Sequence, residues 1–246
     1  MHWTDHHAAW WALRLSTREH DGSAADLAQS IANARVDLNP HQVDAALFAM
    51  RSPLARGAIL ADEVGLGKTI EAGLVLAQRW AERRRRILLV VPASLRTQWM
   101  GELESKFGLP ARLLDSRTPR LDDGEAVLVT SYQYAHRRAS AIRQVPWDLV
   151  VFDEAHRLRN AYRSSSIVAA ALRDATAHAP RLLLTATPLQ NALVELYGLS
   201  TFVDPHLFGD EASFRARFGT GTALSVGGAG ALRERLASCM VRTLRA

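Results

Sequence analysis

The feature that most limits what this chain can become is the stretch Ala61-Asp62-Glu63-Val64-Gly65-Leu66-Gly67-Lys68-Thr69, a glycine-punctuated turn between an apolar run (57–60) and a helical pattern (70–80). Gly65 and Gly67 let the backbone turn N–H groups inward around an anion, where a Cβ would obstruct the approach. Lys68 then reaches the β and γ phosphates of a nucleotide as a point charge. The Thr69 hydroxyl stands at the start of the helix, where it can hold a magnesium ion and where the helix dipole favours the anion. The general pattern G-x-x-x-x-G-K-[ST] has a glycine at the position that Asp62 fills here.

From Val36 onward, short β-rich apolar runs alternate with longer helical ones, and the candidate strands are 58–60, 87–91, 112–114, 127–130, 149–152 and 182–185. Continuous apolar runs of that length, separated by helices, predict an open α/β fold with a mainly parallel sheet covered on both faces. Ligands of such sheets bind at the carboxyl ends of strands, and every chemically suggestive segment here follows a strand. The run 149–152 leads into Asp153-Glu154-Ala155-His156, which sets two carboxylates at the mouth of the sheet. Phosphoryl transfer needs one carboxylate to hold magnesium through its water shell, assigned to Asp153, and one to polarise the attacking water, assigned to Glu154.

The remainder of the chain sets bounds. With 246 residues, 48% of them hydrophobic, it can bury the core of one large domain with appendages. Trp3, His7, Trp10, Trp11 and Leu15 recur at helical spacing before a polar break at 19–23, and a second helix is expected over 24–34. His2, His6 and His7 have no cysteine beside them and only Asp5 as an acidic neighbour, so they are read as surface histidines. Cys239 is the one cysteine, which excludes an internal disulfide and makes a reducing cytoplasm the expected location. No apolar stretch approaches the 18 or so residues of a membrane span, and the N-terminus lacks the pattern of a signal peptide. A formal net charge of +5 suits a phosphate backbone but equally reflects an arginine-rich composition, and Arg83 to Arg86 read as a solvated run at a helix end.

The segment from Asp62 to Thr69 resembles the nucleotide-binding motif of the Swi/Snf-type branch of superfamily 2 helicases, the double-stranded-DNA translocases, which carry an Asp-Glu pair at the head of the loop. A phosphate loop followed, after three intervening strands, by strand-then-Asp-Glu-Ala-His is the order of that superfamily. Other segments are similar one by one. Leu38-Asn39-Pro40-His41-Gln42 resembles the adenine-recognition motif, and Gln42 carries over because a side-chain amide offers the base a donor and an acceptor together. Val90 to Leu95 followed by Gln98-Trp99 resembles the motif that tracks the DNA backbone, with Ser94 and Gln98 as contacts and Ser94 also readable as a helix N-cap. Val129-Thr130-Ser131-Tyr132 resembles the next DNA-facing motif, with Thr130 and Ser131 offering hydroxyls. Leu184 to Asn191 resembles the segment coupling nucleotide state to DNA engagement, through Thr185 and Thr187; the usual glycine is Ala186 here, as in a divergent, bacterial-type member.

The resemblance covers about residues 36 to 246 and implies a RecA-like, phosphate-loop NTPase lobe that takes ATP and Mg2+. Its nucleotide contacts would be Gln42, Asp62, Gly65, Leu66, Gly67, Lys68 and Thr69, its metal-holding residues Thr69 and Asp153, and its catalytic residues Lys68, Asp153 and Glu154. The expected organisation is a helical N-terminal extension over 1–35, the lobe over 36–203, and a helical segment over 204–246, with 232–244 as one helical pattern. Family members continue into a second RecA-like lobe that supplies arginines to the ATP site, so the chain is expected to be an N-terminal piece of a longer protein with weak hydrolysis alone. Expected partners are double-stranded DNA, that second lobe and a protein docked by the N-terminal helix, with no membrane. A non-hydrolysing nucleotide-gated interaction module and a strand-separating helicase lobe are the alternatives.

Overall fold

The computed structural model describes residues 31, 34–51, 57–63, 65–116, 121, 124–163, 165–188, 193–219 and 228–243. The helices expected within 1–20 and over most of 24–34, the histidines near the start, Val64, and residues 189–191 lie outside them. Helix α1 (Pro40–Arg51) leads to β1 (Gly57–Leu60), the glycine loop and α2 (Lys68–Ala81). Next come β2 (Ile87–Val91), a 3-10 turn (Ala93–Leu95), α3 (Arg96–Phe107), β3 (Ala111–Leu113), β4 (Val127–Ser131), and the short helices α4 (Tyr132–Arg137) and α5 (Ala139–Arg143). Strand β5 (Leu149–Asp153), a 3-10 turn (Ala155–Leu158), α6 (Ile167–Ala175), β6 (Arg181–Leu184), α7 (Val194–Val203), α8 (Glu211–Phe218), α9 (Gly228–Ala237) and β7 (Met240–Val241) complete the described chain.

The strands form one sheet in the order β3-β4-β2-β5-β6-β1-β7, and every pairing is parallel. Because side chains alternate between faces, each strand feeds two cores. Ile59, Leu88, Val90, Leu128, Val150, Phe152 and Leu183 pack on one side with residues of α4 to α9. Ala58, Leu60, Ile87, Leu89, Val91, Val129, Val151 and Leu184 pack on the other with α1, α2 and α3. Burial on both faces is why β2, β4 and β5 read as unbroken apolar runs. The same logic explains α2, where every residue from Ile70 to Leu76 is buried. Gly73 faces the ring of Phe107 so closely that a Cβ would overlap it, and α2 and α3 meet there.

The end of the chain departs from the expected helix over 232–244. Helix α9 stops at Ala237, and Met240–Val241 is an edge strand. The N–H of Ile59 donates to the carbonyl of Cys239 (2.7 Å) and that of Ala61 to the carbonyl of Val241 (2.9 Å). Buried backbone donors need acceptors, and this two-residue strand supplies them along the outer side of β1. Cys239 is buried here, which pushes its thiol up to about 12 and leaves it inert. Just before β2 begins, Arg84 pairs with Glu82 and the Arg85 guanidinium lies over the Trp80 ring, in keeping with a solvated run.

Candidate nucleotide and DNA site

The register of the central strands levels the site. Leu184 pairs with Leu60 on one side and with Asp153 on the other, so the phosphate loop and Asp153 emerge from strands separated only by β6, about 10 Å apart. Thr185 follows between them, buried, its N–H donating to the carbonyl of Leu60 (3.0 Å) while its hydroxyl accepts from the N–H of exposed Thr187 (3.2 Å).

Gly65 (φ 84°) and Gly67 (φ 94°) take the left-handed backbone that the loop reading required. Helix α2 starts at Lys68 with no side-chain cap, which leaves that end of its dipole to an anion. The Lys68 ammonium lies inside the turn, donating to the carbonyls of Asp62 (2.6 Å) and Glu63 (3.1 Å). Gln42, buried on α1, donates through Nε2 to the carbonyl of Leu66 (2.9 Å) and accepts at Oε1 from the N–H of Asn39 (3.0 Å). His41 Nε2 lies 3.1 Å from the same Leu66 carbonyl. A Cβ on Gly67 would strike the end of the Gln42 side chain, so a substitution there would displace that amide as well as strain φ. In this structure the Gln42 amide therefore braces the loop.

Asp62 corrects the expectation that it contacts nucleotide. It is 0% exposed, and its Oδ1 accepts from the N–H of Thr243 (2.6 Å), just past β7. Its other neighbour is Glu71 on α2, also 0% exposed. Two carboxyl groups hydrogen-bond only if one is protonated. Burial, then the charge of Asp62, push Glu71 up to about 9, so Glu71 holds that proton at neutral pH. A glutamate among the apolar residues of α2 was the available sequence signal for this pair, and the sequence reading passed over it.

Asp153 closes β5 at 9% exposure. Burial raises its pKa, and two donors oppose that: Trp99 Nε1 to Oδ2 at 2.7 Å and the N–H of Glu154 to Oδ1 at 2.8 Å. The Tyr132 hydroxyl donates to its main-chain carbonyl (2.7 Å). Trp99 and Tyr132 were not assigned these contacts from sequence; a buried indole N–H or phenol that must find a partner was the signal. Glu154 projects into the mouth, partly exposed, with Oε2 3.1 Å from His156 Nδ1. Its backbone is left-handed (φ 52°, ψ 47°), which a non-glycine residue adopts at a cost of roughly 1–3 kcal/mol.

The four expected DNA contacts separate into two groups. Ser94 and Gln98 are exposed, Ser94 within the 3-10 turn and Gln98 on α3, bonded to Glu102 (2.9 Å); neither α3 nor the turn has a side-chain cap, so Ser94 is no N-cap. Thr130 is fully buried and donates to the carbonyl of Leu114 (3.3 Å). Ser131 caps α4, accepting from the N–H of Tyr134 (3.2 Å). The Thr130 hydroxyl is thus committed inside the fold, against the expectation that it contacts phosphate, whereas the Ser131 oxygen accepts in the cap and its O–H can still donate.

Thr69 and Asp153 offer a hydroxyl and a carboxylate, donors suited to a hard cation. Among the described residues no group of three or more His, Cys, Asp or Glu is placed to hold a metal. A magnesium ion here would therefore take most of its ligands from phosphate and water, as that ion commonly does. Likewise no helix among the described residues is long and apolar enough to cross a membrane.

A parallel sheet with a glycine loop, a Lys-Thr helix start and a carboxylate at the mouth of the next strand but one defines a RecA-like phosphate-loop NTPase lobe. The SNF2-related domain matches residues 5–246, and the chain belongs to that family. It is 36% identical over 182 residues to the ATP-dependent helicase YqhH of Bacillus subtilis, covering 73% of this chain and 31% of that protein. It is 35% identical over 219 residues to the RNA polymerase-associated protein RapA of Yersinia pseudotuberculosis, covering 82% of this chain and 22% of that one. The chain thus spans less than a third of the length of these relatives. Its fold is similar to the Sulfolobus solfataricus SWI2/SNF2 ATPase core in complex with double-stranded DNA (TM-score 0.72, 23% identity, 86% of this chain and 45% of that one) and to a Sulfolobus solfataricus SWI2/SNF2 ATPase core domain (TM-score 0.69, 24% identity, 86% of this chain and 44% of that one).

Proposed function

We propose that this chain is the ATP-binding lobe of a double-stranded-DNA-dependent ATPase that translocates on duplex DNA, and that it takes ATP with Mg2+. The observation that carries the reading is the level placement of the Lys68 loop and Asp153 across β6. In this reading Lys68 leaves the carbonyls of Asp62 and Glu63 for the β and γ phosphates, and Thr69 and Asp153 hold the magnesium ion. Glu154 polarises the attacking water. The metal, when bound, neutralises charge developing on the phosphoryl oxygens. Gln42 reaches adenine only by giving up its bond to Leu66, which would make base recognition and loop position one event. Ser94 and Gln98 face the DNA. Thr185 and Thr187 link the end of β6, beside the loop, to DNA engagement.

Charge on the transferring phosphoryl group calls for an arginine, worth about 10³ to 10⁵ in rate in phosphate-loop enzymes. A second RecA-like lobe is its proposed source, and hydrolysis by the present chain is expected to be weak. An intact Glu154 at the mouth argues against a non-hydrolysing interaction module, and the exposed segment around Ser94 and Gln98 suits tracking of a duplex backbone. The test is ATP binding and turnover by the purified chain with and without duplex DNA, beside Lys68→Ala. Expected are magnesium-dependent binding that Lys68→Ala abolishes and little DNA-stimulated turnover. Wild-type affinity in the Lys68→Ala chain would sink the reading, and brisk turnover would sink the need for a second lobe.

A further inference from the structure

We infer that Trp99 and Tyr132 are positioning residues that tie the DNA-facing segment after β2 and the end of β4 to Asp153. The inference rests on the reading above, in which Asp153 serves the nucleotide-bound cation and the segment after β2 faces DNA. Trp99 sits next to exposed Gln98 on α3, yet is itself 3% exposed, and its Nε1–H reaches the Asp153 carboxylate at 2.7 Å across 54 residues of sequence. Tyr132 directly follows Ser131 at the end of β4 and donates to the Asp153 main-chain carbonyl at 2.7 Å. The two donors arrive from opposite faces of the sheet, since Trp99 packs with the α1–α3 core and Tyr132 with the other. A movement of the segment after β2 against a phosphate backbone therefore moves a group bonded to Asp153, while Tyr132 holds the same residue from the other face.

The donor chemistry suits this use. An indole orients the carboxylate, and a phenol the main chain that carries it, without a charge that would compete with a cation, whereas lysine or arginine would neutralise it. Merely burying an indole does not demand a carboxylate partner. Trp147, also buried, donates to the main-chain carbonyl of Ile142 (2.9 Å), within its own connection. Trp147 is the internal control for Trp99.

The experiment uses Mn2+ as the metal probe and ADP as the nucleotide. Free Mn2+ is measured by electron paramagnetic resonance in the presence of chain and ADP, with and without a short blunt DNA duplex, and duplex affinity is measured separately by fluorescence anisotropy. The ratio of Mn2+ affinities is the coupling factor, which for allosteric pairs is typically about 5- to 150-fold and must appear reciprocally in duplex affinity. Expected is a wild-type ratio in that range that Trp99→Phe brings close to one while duplex affinity without nucleotide is unchanged. Tyr132→Phe, which deletes only an oxygen, should lower the ratio and keeps the test decisive if Trp99→Phe folds poorly. Trp147→Phe should leave it unchanged.

A wild-type ratio of one, a full ratio in both Trp99→Phe and Tyr132→Phe, or an equal loss in Trp147→Phe would overturn the tie while leaving the ATPase reading standing. A wild-type chain that fails to bind Mn2+ with ADP, or fails to bind duplex, would overturn that reading and this inference with it.

Discussion

The chain carries Asp-Glu twice at the end of a buried parallel strand, at 62–63 after β1 and at 153–154 after β5, and the fold gives the two aspartates opposite uses. Asp62 is sealed under the phosphate loop, one oxygen bonded to the N–H of Thr243 and the carboxyl facing Glu71. Asp153 stands at the mouth, oriented by Trp99 and by the N–H of Glu154. What separates them is not residue type or strand position but the donors around them. A carboxylate facing another carboxyl in the interior is stabilised by a shared proton and a backbone N–H and becomes part of the scaffold. One met by neutral donors at a partly open edge keeps a face for a cation.

Removing charge from each member should separate the two roles. Asp153→Asn keeps the shape but loses the ligand charge, and its single amide oxygen can accept from only one of the Trp99 indole and the Glu154 N–H. Magnesium-dependent ADP affinity is expected to fall about 10- to 100-fold, the range seen when a group holding a metal indirectly is altered. Titration calorimetry at varied Mg2+ measures it, and an unchanged affinity would mean the metal is held elsewhere.

Asp62→Ala is expected to do the reverse. It leaves the Thr243 N–H and the Glu71 carboxyl without their partner in the interior, a loss of about 1–3 kcal/mol. Thermal unfolding should show this as a drop of roughly 2–4 °C per kcal/mol in a domain of this size. A melting temperature equal to wild type would show that Asp62 does not anchor the end of the chain.

Glu71 sharpens the contrast through pH. Its pKa lies near 4.5 in an unfolded chain and about 9 in the fold. Between those values the folded state holds a proton that the unfolded state has released, so its contribution to stability falls as pH rises. The slope is at most one proton, about 1.4 kcal/mol per pH unit, and the contribution is complete below the lower value and gone above the upper one. Melting temperatures from pH 6 to pH 9.5 should decline in wild type and decline less in Glu71→Gln, which keeps a neutral donor toward Asp62. Parallel curves would place the proton on another group.

The same contrast shows what the sequence carried. All six expected strands are present with ends shifted by a residue at most, because runs such as 87–91 are buried on both faces and so are written in apolar residues throughout. Strand β7 was not legible, since two residues make no pattern and its existence depends on the N–H groups of Ile59 and Ala61 that await it on β1. Residues of the phosphate loop announce themselves because glycine at positive φ and a Lys-Thr pair are local requirements. The partners of Asp62 and Asp153 do not. Thr243 lies 181 residues from Asp62 and Trp99 54 residues from Asp153, so only the sheet order brings them together. Burial also reversed the reading of Thr130, whose hydroxyl looks like a phosphate contact until the strand end packs it inside.

The smallest expected effect concerns Glu154, the one acidic residue of the site held in left-handed backbone (φ 52°). A glycine occupies that conformation freely, relieving about 1–2 kcal/mol, but it gives back roughly 0.5–1 kcal/mol through greater freedom of the unfolded chain. Glu154→Gly should therefore raise stability by no more than about 1.5 kcal/mol, readable as a small upward shift in denaturation midpoint with unchanged slope. Nucleotide affinity should hold, because Lys68, Thr69 and Asp153 are untouched, while any turnover is lost. Stabilisation with loss of chemistry would mean that the strain at Glu154 is maintained for the side chain it aims into the mouth. Destabilisation would instead mean that the contact with His156 contributes more to the fold than the backbone strain costs it, and Glu154 would then belong with Asp62 on the structural side of the comparison.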